Sequence, residues 1–157
     1  MIASPFTLDW PTAHDTARAG RALGNALNPG DVVLLTGDVG AGKTHFARAL
    51  IQSILVTPED VPSPTFTLVQ VYDTVRGPLW HADLYRIASD LEVDELGLVD
   101  AFEDAICLVE WPDRLGSATP ETALSIALDT SGIGRTATLT WTDPRWSSLL
   151  APVNADA

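Results

Sequence analysis

The sequence predicts a single α/β domain with a mixed, largely parallel central sheet, flanked by helices and ending in a C-terminal β-hairpin. Three observations carry this. Val32-Val33-Leu34-Leu35-Thr36 and Ala105 to Trp111 are short, continuous apolar runs, the pattern of strands buried on both faces. Apolar residues at helical spacing alternate with them, at Ala19, Leu23, Ala26 and Leu27 and again at Phe46, Ala47, Leu50, Ile51, Ile54 and Leu55. Near the C-terminus the pattern changes to period two, as in antiparallel strands. A chain of 157 residues holds one domain with a real core and is too short for two ordinary ones. The core is expected over about residues 8–142.

Residues 11–27 read as the first helix. Thr12 can cap it with Asp15 three positions on, and Asn28-Pro29-Gly30 stops it. The first strand follows, then a glycine-rich loop, then a helix from Thr44 to about Val56. Three prolines between Thr57 and Pro64 mark a loop. Thr65 to Tyr72 and Leu79 to Asp83 form two strands around a turn at Arg76-Gly77-Pro78. Leu91 to Phe102 is an acidic helix or pair of turns, and the strand from Ala105 ends at Pro112. Leu124 to Leu128 and Ala137 to Trp141 pair as a hairpin across the turn-rich residues 129–134. The tail, residues 151–157, is expected to fray.

Composition narrows the function. The formal net charge is −12, which argues against a free-standing nucleic-acid binder, because phosphate backbones need clustered Lys or Arg. No run approaches the length of a membrane span. The opening residues Met1-Ile2-Ala3-Ser4-Pro5 show no secretory signal, and the lone Cys107 excludes an internal disulfide. A reducing, cytoplasmic setting is expected, with Cys107 as a small core residue.

The chemistry concentrates in Gly37-Asp38-Val39-Gly40-Ala41-Gly42-Lys43-Thr44, which fits the phosphate-loop pattern G-x-x-x-x-G-K-[ST] at every fixed position. Glycines at 37, 40 and 42 let backbone amides converge on a phosphate. The following helix points its positive end at the same anion. Lys43 is the chain's single lysine among eight arginines. A compact ammonium on a long stem suits a slot between phosphates, and arginine's planar fork does not. Lys43 would bridge the β- and γ-phosphates, and the Thr44 hydroxyl would bind Mg²⁺. The domain is therefore expected to be P-loop NTPase-like.

Such a protein needs a further carboxylate at the end of a buried strand. Glu110 and Asp83 are both candidates, and Glu110 has the more apolar strand behind it. A carboxylate so placed is costly unless paired with a cation. His81 shares a strand face with Asp83, whereas His14 and His45 read as structural. Arg86 either stabilises phosphoryl charge or forms a surface salt bridge. Thr65 and Thr67 lie where a nucleotide-sensing loop would fall. The guanine-reading N-K-x-D motif cannot exist, because the only lysine is already used. The base is expected to be adenine.

Four blocks in order, GDVGAGKT (37–44), SPTFTL (63–68), HADLYR (81–86) and LVEWP (108–112), resemble the TsaE family, formerly YjeE, bacterial ATPases of tRNA threonylcarbamoyladenosine biosynthesis. The resemblance covers about residues 8–142. The glycine loop alone is common to very many proteins, and the other three blocks are specific. The resemblance implies that Gly37, Asp38, Val39, Gly40, Ala41, Gly42 and Lys43 hold ATP. It implies that Thr44 and Glu110 ligate Mg²⁺, that Asp83 arranges the metal water or the attacking water, and that Trp111 lies against the nucleotide. Thr12 and Arg135 would be near the nucleotide by analogy. It also implies partners, TsaB and TsaD, which modify the adenosine beside the anticodon, so that tRNA is met indirectly. One departure is His45, where many relatives have a second threonine. Two other readings of the motifs are a nucleotide-gated binding module and a small-molecule phosphotransferase.

Overall fold

A seven-stranded sheet in the order β1-β7-β6-β2-β5-β4-β3 forms the centre of the protein. The computed structural model describes residues 2–38, 40–64 and 67–155. The strands are β1 (Phe6–Trp10), β2 (Val32–Thr36), β3 (Val69–Thr74), β4 (Gly77–Asp83), β5 (Ile106–Glu110), β6 (Leu124–Ser131) and β7 (Gly134–Thr140). β2 runs parallel to β5 and β6, and β4 runs parallel to β5. The pairs β1–β7, β6–β7 and β3–β4 are antiparallel. The sheet is thus mixed, parallel at its centre and antiparallel at both edges, as the apolar and alternating runs predict.

The residues that form the central strands are buried on both sides. β2 sends Val33 and Leu35 to one face and Val32 and Leu34 to the other. The first face is covered by α1 (Ala13–Gly24) and α2 (Lys43–Ile54), with α5 (Arg145–Leu149) and α6 (Ala151–Ala155). The second is covered by α3 (Asp90–Glu95), α4 (Leu98–Asp104) and a 3₁₀ segment over Pro112–Ala118. Cys107 is fully buried on that face, and burial pushes its thiol up to about 12, which fits a packing role.

α1 and α2 approach closely because α1 presents glycines to its neighbour. A Cβ on Gly20 would stand 2.7 Å from the Phe46 carbonyl oxygen, and one on Gly24 would stand 3.0 Å from that of Leu50. Thr12 caps α1 as its sequence suggests: its hydroxyl accepts from the Asp15 amide at 3.2 Å, and Asp15 accepts from the Thr12 amide at 3.0 Å. Trp10 stacks on Phe46 with ring centroids 5.4 Å apart, which ties β1 to α2.

Several sequence expectations need correction. β1 was not anticipated, although Phe6-Thr7-Leu8-Asp9-Trp10 alternates and buries Leu8 and Trp10. α1 stops at Gly24, where the Asn25 amide closes on the Arg21 carbonyl, and Leu27 is buried beyond the helix end. β3 begins at Val69, after Thr67 and Leu68, which lie outside the strand, and the expected start at Thr65 falls outside the described residues. The hairpin strands are longer than expected, and only Gly132 and Ile133 turn between them. The tail is not frayed over 151–155: it forms α6, with Val153 buried in the core of the first face. An ion pair between Arg145 and the buried Asp31 pins α5, just before it, beside the start of β2.

The helix contact is testable. Gly20→Ala places a methyl against backbone that has no rotamer to move, and overpacking of this kind costs about 1–3 kcal/mol. Urea unfolding is expected to show a lower midpoint with an unchanged slope. In the native state Cys107 should resist a thiol reagent at mildly alkaline pH and react once the chain is unfolded.

Candidate functional site

The carboxyl ends of β2, β4 and β5 open into one cleft of about 620 Å³, lined by residues that include Gly40, Gly42, Lys43, Thr44, Asp83 and Glu110. In open α/β sheets the strand ends are where ligands bind. Thr36 ends β2 and the glycine loop leads from it into α2. Gly37, Gly40 and Gly42 have φ of +142°, +84° and +101°, values that side-chain-bearing residues rarely adopt. At Gly37 a Cβ would also stand 2.5 Å from the Leu128 carbonyl oxygen.

Arg135, on β7, braces this loop from the opposite side. Its guanidinium donates to the carbonyls of Ala41 at 2.9 Å and Gly40 at 3.1 Å. It also donates to the carbonyl of Gly134 at 2.8 Å. With those carbonyls engaged from behind, the loop's shape is held before any ligand arrives. Thr12 lines a smaller pocket of about 110 Å³ that shares Gly42, His45 and Arg135 with the main cleft. Both residues placed near the nucleotide by analogy therefore stand beside the loop. The His45 ring nitrogen lies 2.9 Å from the Ala13 carbonyl oxygen, which joins the start of α2 to the start of α1.

Lys43 is the first residue of α2 and is largely buried. Its ammonium donates to the Gly37 carbonyl and, at 3.5 Å, to that of Asp38. It also stands 3.9 Å from the centre of the Trp111 ring. Burial pushes the Lys43 ammonium below its ordinary value, and the carboxylates of Glu110, Asp83 and Asp38 oppose that shift. Trp111 has φ +58° and ψ +53°, a left-handed turn at the exit of β5. The Tyr85 ring lies against it with centroids 4.8 Å apart.

Glu110 ends β5 at 2% exposure. The Thr44 hydroxyl donates to its Oε1 at 3.0 Å, with Oε2 at 3.3 Å. His81 Nε2 lies 2.7 Å from Oε2. Where a cation was expected, the hydrogen-bond partners of this carboxylate among the described residues are a histidine and a hydroxyl, and Lys43 is near enough to feel its charge. Asp83 stands directly beside Glu110 in the register of β4 and β5, and its carboxylate accepts from the Tyr85 amide at 3.0 Å. Both candidate carboxylates reach the cleft, and Glu110 is the one joined to Thr44. Thr67 instead accepts from the Gln70 side chain at 2.9 Å on the surface. Val39 and Thr65, both expected at the nucleotide, lie outside the described residues.

Ser63, from the segment expected to sense the nucleotide, lines the cleft, as do Tyr85 and His45, which sequence reasoning did not place there. Ser63 and Tyr85 belong to two of the quoted blocks, so a signal was present. His45 carried none beyond its place after Thr44.

A central strand, a glycine loop and a helix, with two carboxylates ending neighbouring parallel strands, define a single α/β domain whose cleft lies at the strand ends. The model of the threonylcarbamoyl adenosine biosynthesis protein TsaE matches residues 10–137, and the chain belongs to that family. A relative from Treponema pallidum, described as tRNA threonylcarbamoyladenosine biosynthesis protein TsaE, is 39% identical over 118 residues, 74% of this chain and 86% of its own. The Bacillus subtilis protein of the same description is 35% identical over 128 residues, 80% of this chain and 79% of its own. The Rickettsia felis one is 40% identical over 100 residues, 64% of this chain and 58% of its own length. The crystal structure of Bacillus subtilis YdiB superposes with a TM-score of 0.77 at 28% identity over 98% of both chains. The protein is thus a family member in tRNA threonylcarbamoyladenosine biosynthesis. No helix among the described residues is long and apolar enough to cross a membrane.

The brace predicts a local effect. Hydrogen bonds from a charged donor contribute about 1.5–3 kcal/mol each when sheltered, and less where solvent reaches, as at Gly40. Arg135→Ala is expected to raise amide exchange at Gly40, Ala41 and Gly42 roughly tenfold, measured by NMR, while β5 amides keep their protection.

Proposed function

We propose that the protein is a Mg²⁺-dependent ATPase that serves tRNA threonylcarbamoyladenosine formation by driving turnover of a complex with TsaB and TsaD. The observation that carries the reading is the direct contact of Thr44 with Glu110, at 3.0 Å, at the mouth of the glycine loop. Among the described residues no group of three or more His, Cys, Asp or Glu is placed to hold a metal by itself. That suits Mg²⁺, which is usually held by one or two carboxylates together with the phosphates of a substrate. When bound, Mg²⁺ supplies charge neutralisation at the β- and γ-phosphates.

The chain's own residues divide the remaining work. The amides of residues 37–44 and the N-terminus of α2 would cradle the phosphates. Lys43 would leave its loop carbonyls and reach between the β- and γ-phosphates. Thr44 and Glu110 would hold the metal. Asp83, at the end of the next strand, would orient water, and Trp111 would close one wall. ATP is favoured over GTP because the chain has no second lysine for a guanine-reading motif. The net charge of −12 leaves the tRNA-binding surface to the partners, in the cytoplasm where tRNA is modified.

Three measurements check this. In a purified system with TsaB, TsaD and tRNA, Lys43→Ala is expected to lower multi-turnover modification roughly a hundredfold or more. Unchanged turnover would sink the reading. Glu110→Ala is expected to retain ATP binding and lose phosphate release. Full modification by that variant would instead favour a nucleotide-gated module. The third concerns pH. Because the Lys43 ammonium titrates below its ordinary value of 10.5 and only the charged form binds phosphate, ATP affinity should fall as pH rises toward that lowered value. Calorimetry across the range is expected to show the loss beginning before 10.5.

A further inference from the structure

The geometry points to His81 as a positioning residue. Its ring fixes Oε2 of Glu110, so that Oε1 is turned to Thr44 at the shorter of that hydroxyl's two contacts, where the metal of a bound nucleotide would be held. The inference rests on the function proposed above and assigns a role to a residue outside the metal-holding pair.

His81 is fully buried, at 0% exposure, on β4. It sits two residues before Asp83, on the same strand face, opposite Leu108 of β5. Nε2 is 2.7 Å from Glu110 Oε2, while Nδ1 is buried without a hydrogen-bond partner among the described residues. A ring nitrogen at that distance from a carboxylate acts as the donor. The contact therefore runs from the Nε2 hydrogen to the carboxylate, and Nδ1 makes no hydrogen bond among the described residues.

That hydrogen bond has a consequence for Glu110. A glutamate side chain has three torsions, and a strand end does not by itself fix where its oxygens point. Among the described residues two groups hydrogen-bond to this carboxylate, His81 and Thr44. The Thr44 hydroxyl is the group a cation would recruit, so its contact must rearrange on binding. The His81 contact lies behind the carboxylate, in the core, and can persist. A flat ring packed inside a sheet is a rigid donor, which makes it the fixed reference for the carboxylate. Filling the space alone would be done better by Leu, which leaves no buried nitrogen without a partner.

The test separates position from packing. Binding of a non-hydrolysable ATP analogue is measured by calorimetry in two arms, with Mg²⁺ titrated and with the metal chelated. Mn²⁺ resonance spectra report the metal directly. His81→Leu keeps the volume and removes the donor. It is expected to raise the Mg²⁺ concentration required by roughly 10–100-fold, the usual effect of losing the group that orients a metal ligand. Its metal-free affinity is expected to stay within about twofold, since the phosphate cradle is untouched. His81→Gln places an amide N–H near the Nε2 position and is expected to restore most of the Mg²⁺ response. His81→Asn places its amide near Nδ1 and is expected not to. A wild-type Mg²⁺ requirement in His81→Leu overturns the proposal, as does an equal loss in both arms. If His81→Leu does not fold, the Gln and Asn variants decide, and equal behaviour overturns it. Wild-type protein whose analogue binding ignores Mg²⁺ would overturn the ATPase reading, and this proposal with it.

Discussion

A carboxylate buried at the end of a parallel strand organises this protein. Glu110 cannot remain charged in an apolar sheet unless its oxygens are matched, because an unpaired buried charge costs several kcal/mol. Its partners come from separate elements: Thr44 from α2 and His81 from β4. Satisfying one side chain therefore sets the height of α2 relative to the sheet and the register of β4 against β5. The glycine loop joins β2 to α2, so its position follows. A shift of one residue in β4 would turn His81 to the opposite face and leave Glu110 with a hydroxyl alone.

The loop's shape is held by a different means. Its glycines supply left-handed conformations, but glycine also leaves the unfolded chain most free. Freedom is limited here from outside. Arg135 takes up the Gly40 and Ala41 carbonyls, and the Leu128 carbonyl of the hairpin lies where a Gly37 side chain would be. The C-terminal hairpin is thus the wall against which the loop is formed. Adding β1 outside β7 and stacking Trp10 on Phe46 links that wall back to α2.

Much of this was legible in the sequence, and the omissions have physical causes. β2 and β5 were readable because strands buried on both faces need uninterrupted apolar runs. Lys43, Thr44, Asp83 and Glu110 were readable from motif and order, Thr12 and Arg135 only by analogy with the family, and the structure gathers them at one end of the sheet. The carboxylate's partner was not, because a contact from β4 to β5 depends on register, which local pattern does not encode. β1 was missed since five alternating residues beside a proline carry little signal until β7 is there to pair with them. α6 was missed for a related reason: its helix is too short to be stable alone, and Val153 is ordered by the core it joins.

Trp111 shows how strain and function meet at the same residue. A left-handed backbone costs a bulky residue about 1–3 kcal/mol, whereas a cation held over its ring contributes about 0.5–2 kcal/mol. The Lys43 contact alone does not offset the conformation. Pro112 alters the comparison, because the residue before a proline is already driven from the right-handed helical region. Continuing extended would prolong β5 past the carboxylate. The left-handed turn ends the strand at Glu110 and brings the indole to Lys43 and Tyr85. The ammonium is thus kept over an aromatic face and against the loop carbonyls of Gly37 and Asp38. The single lysine of the chain is thereby fixed at the mouth of the glycine loop, between that loop and the exit of β5.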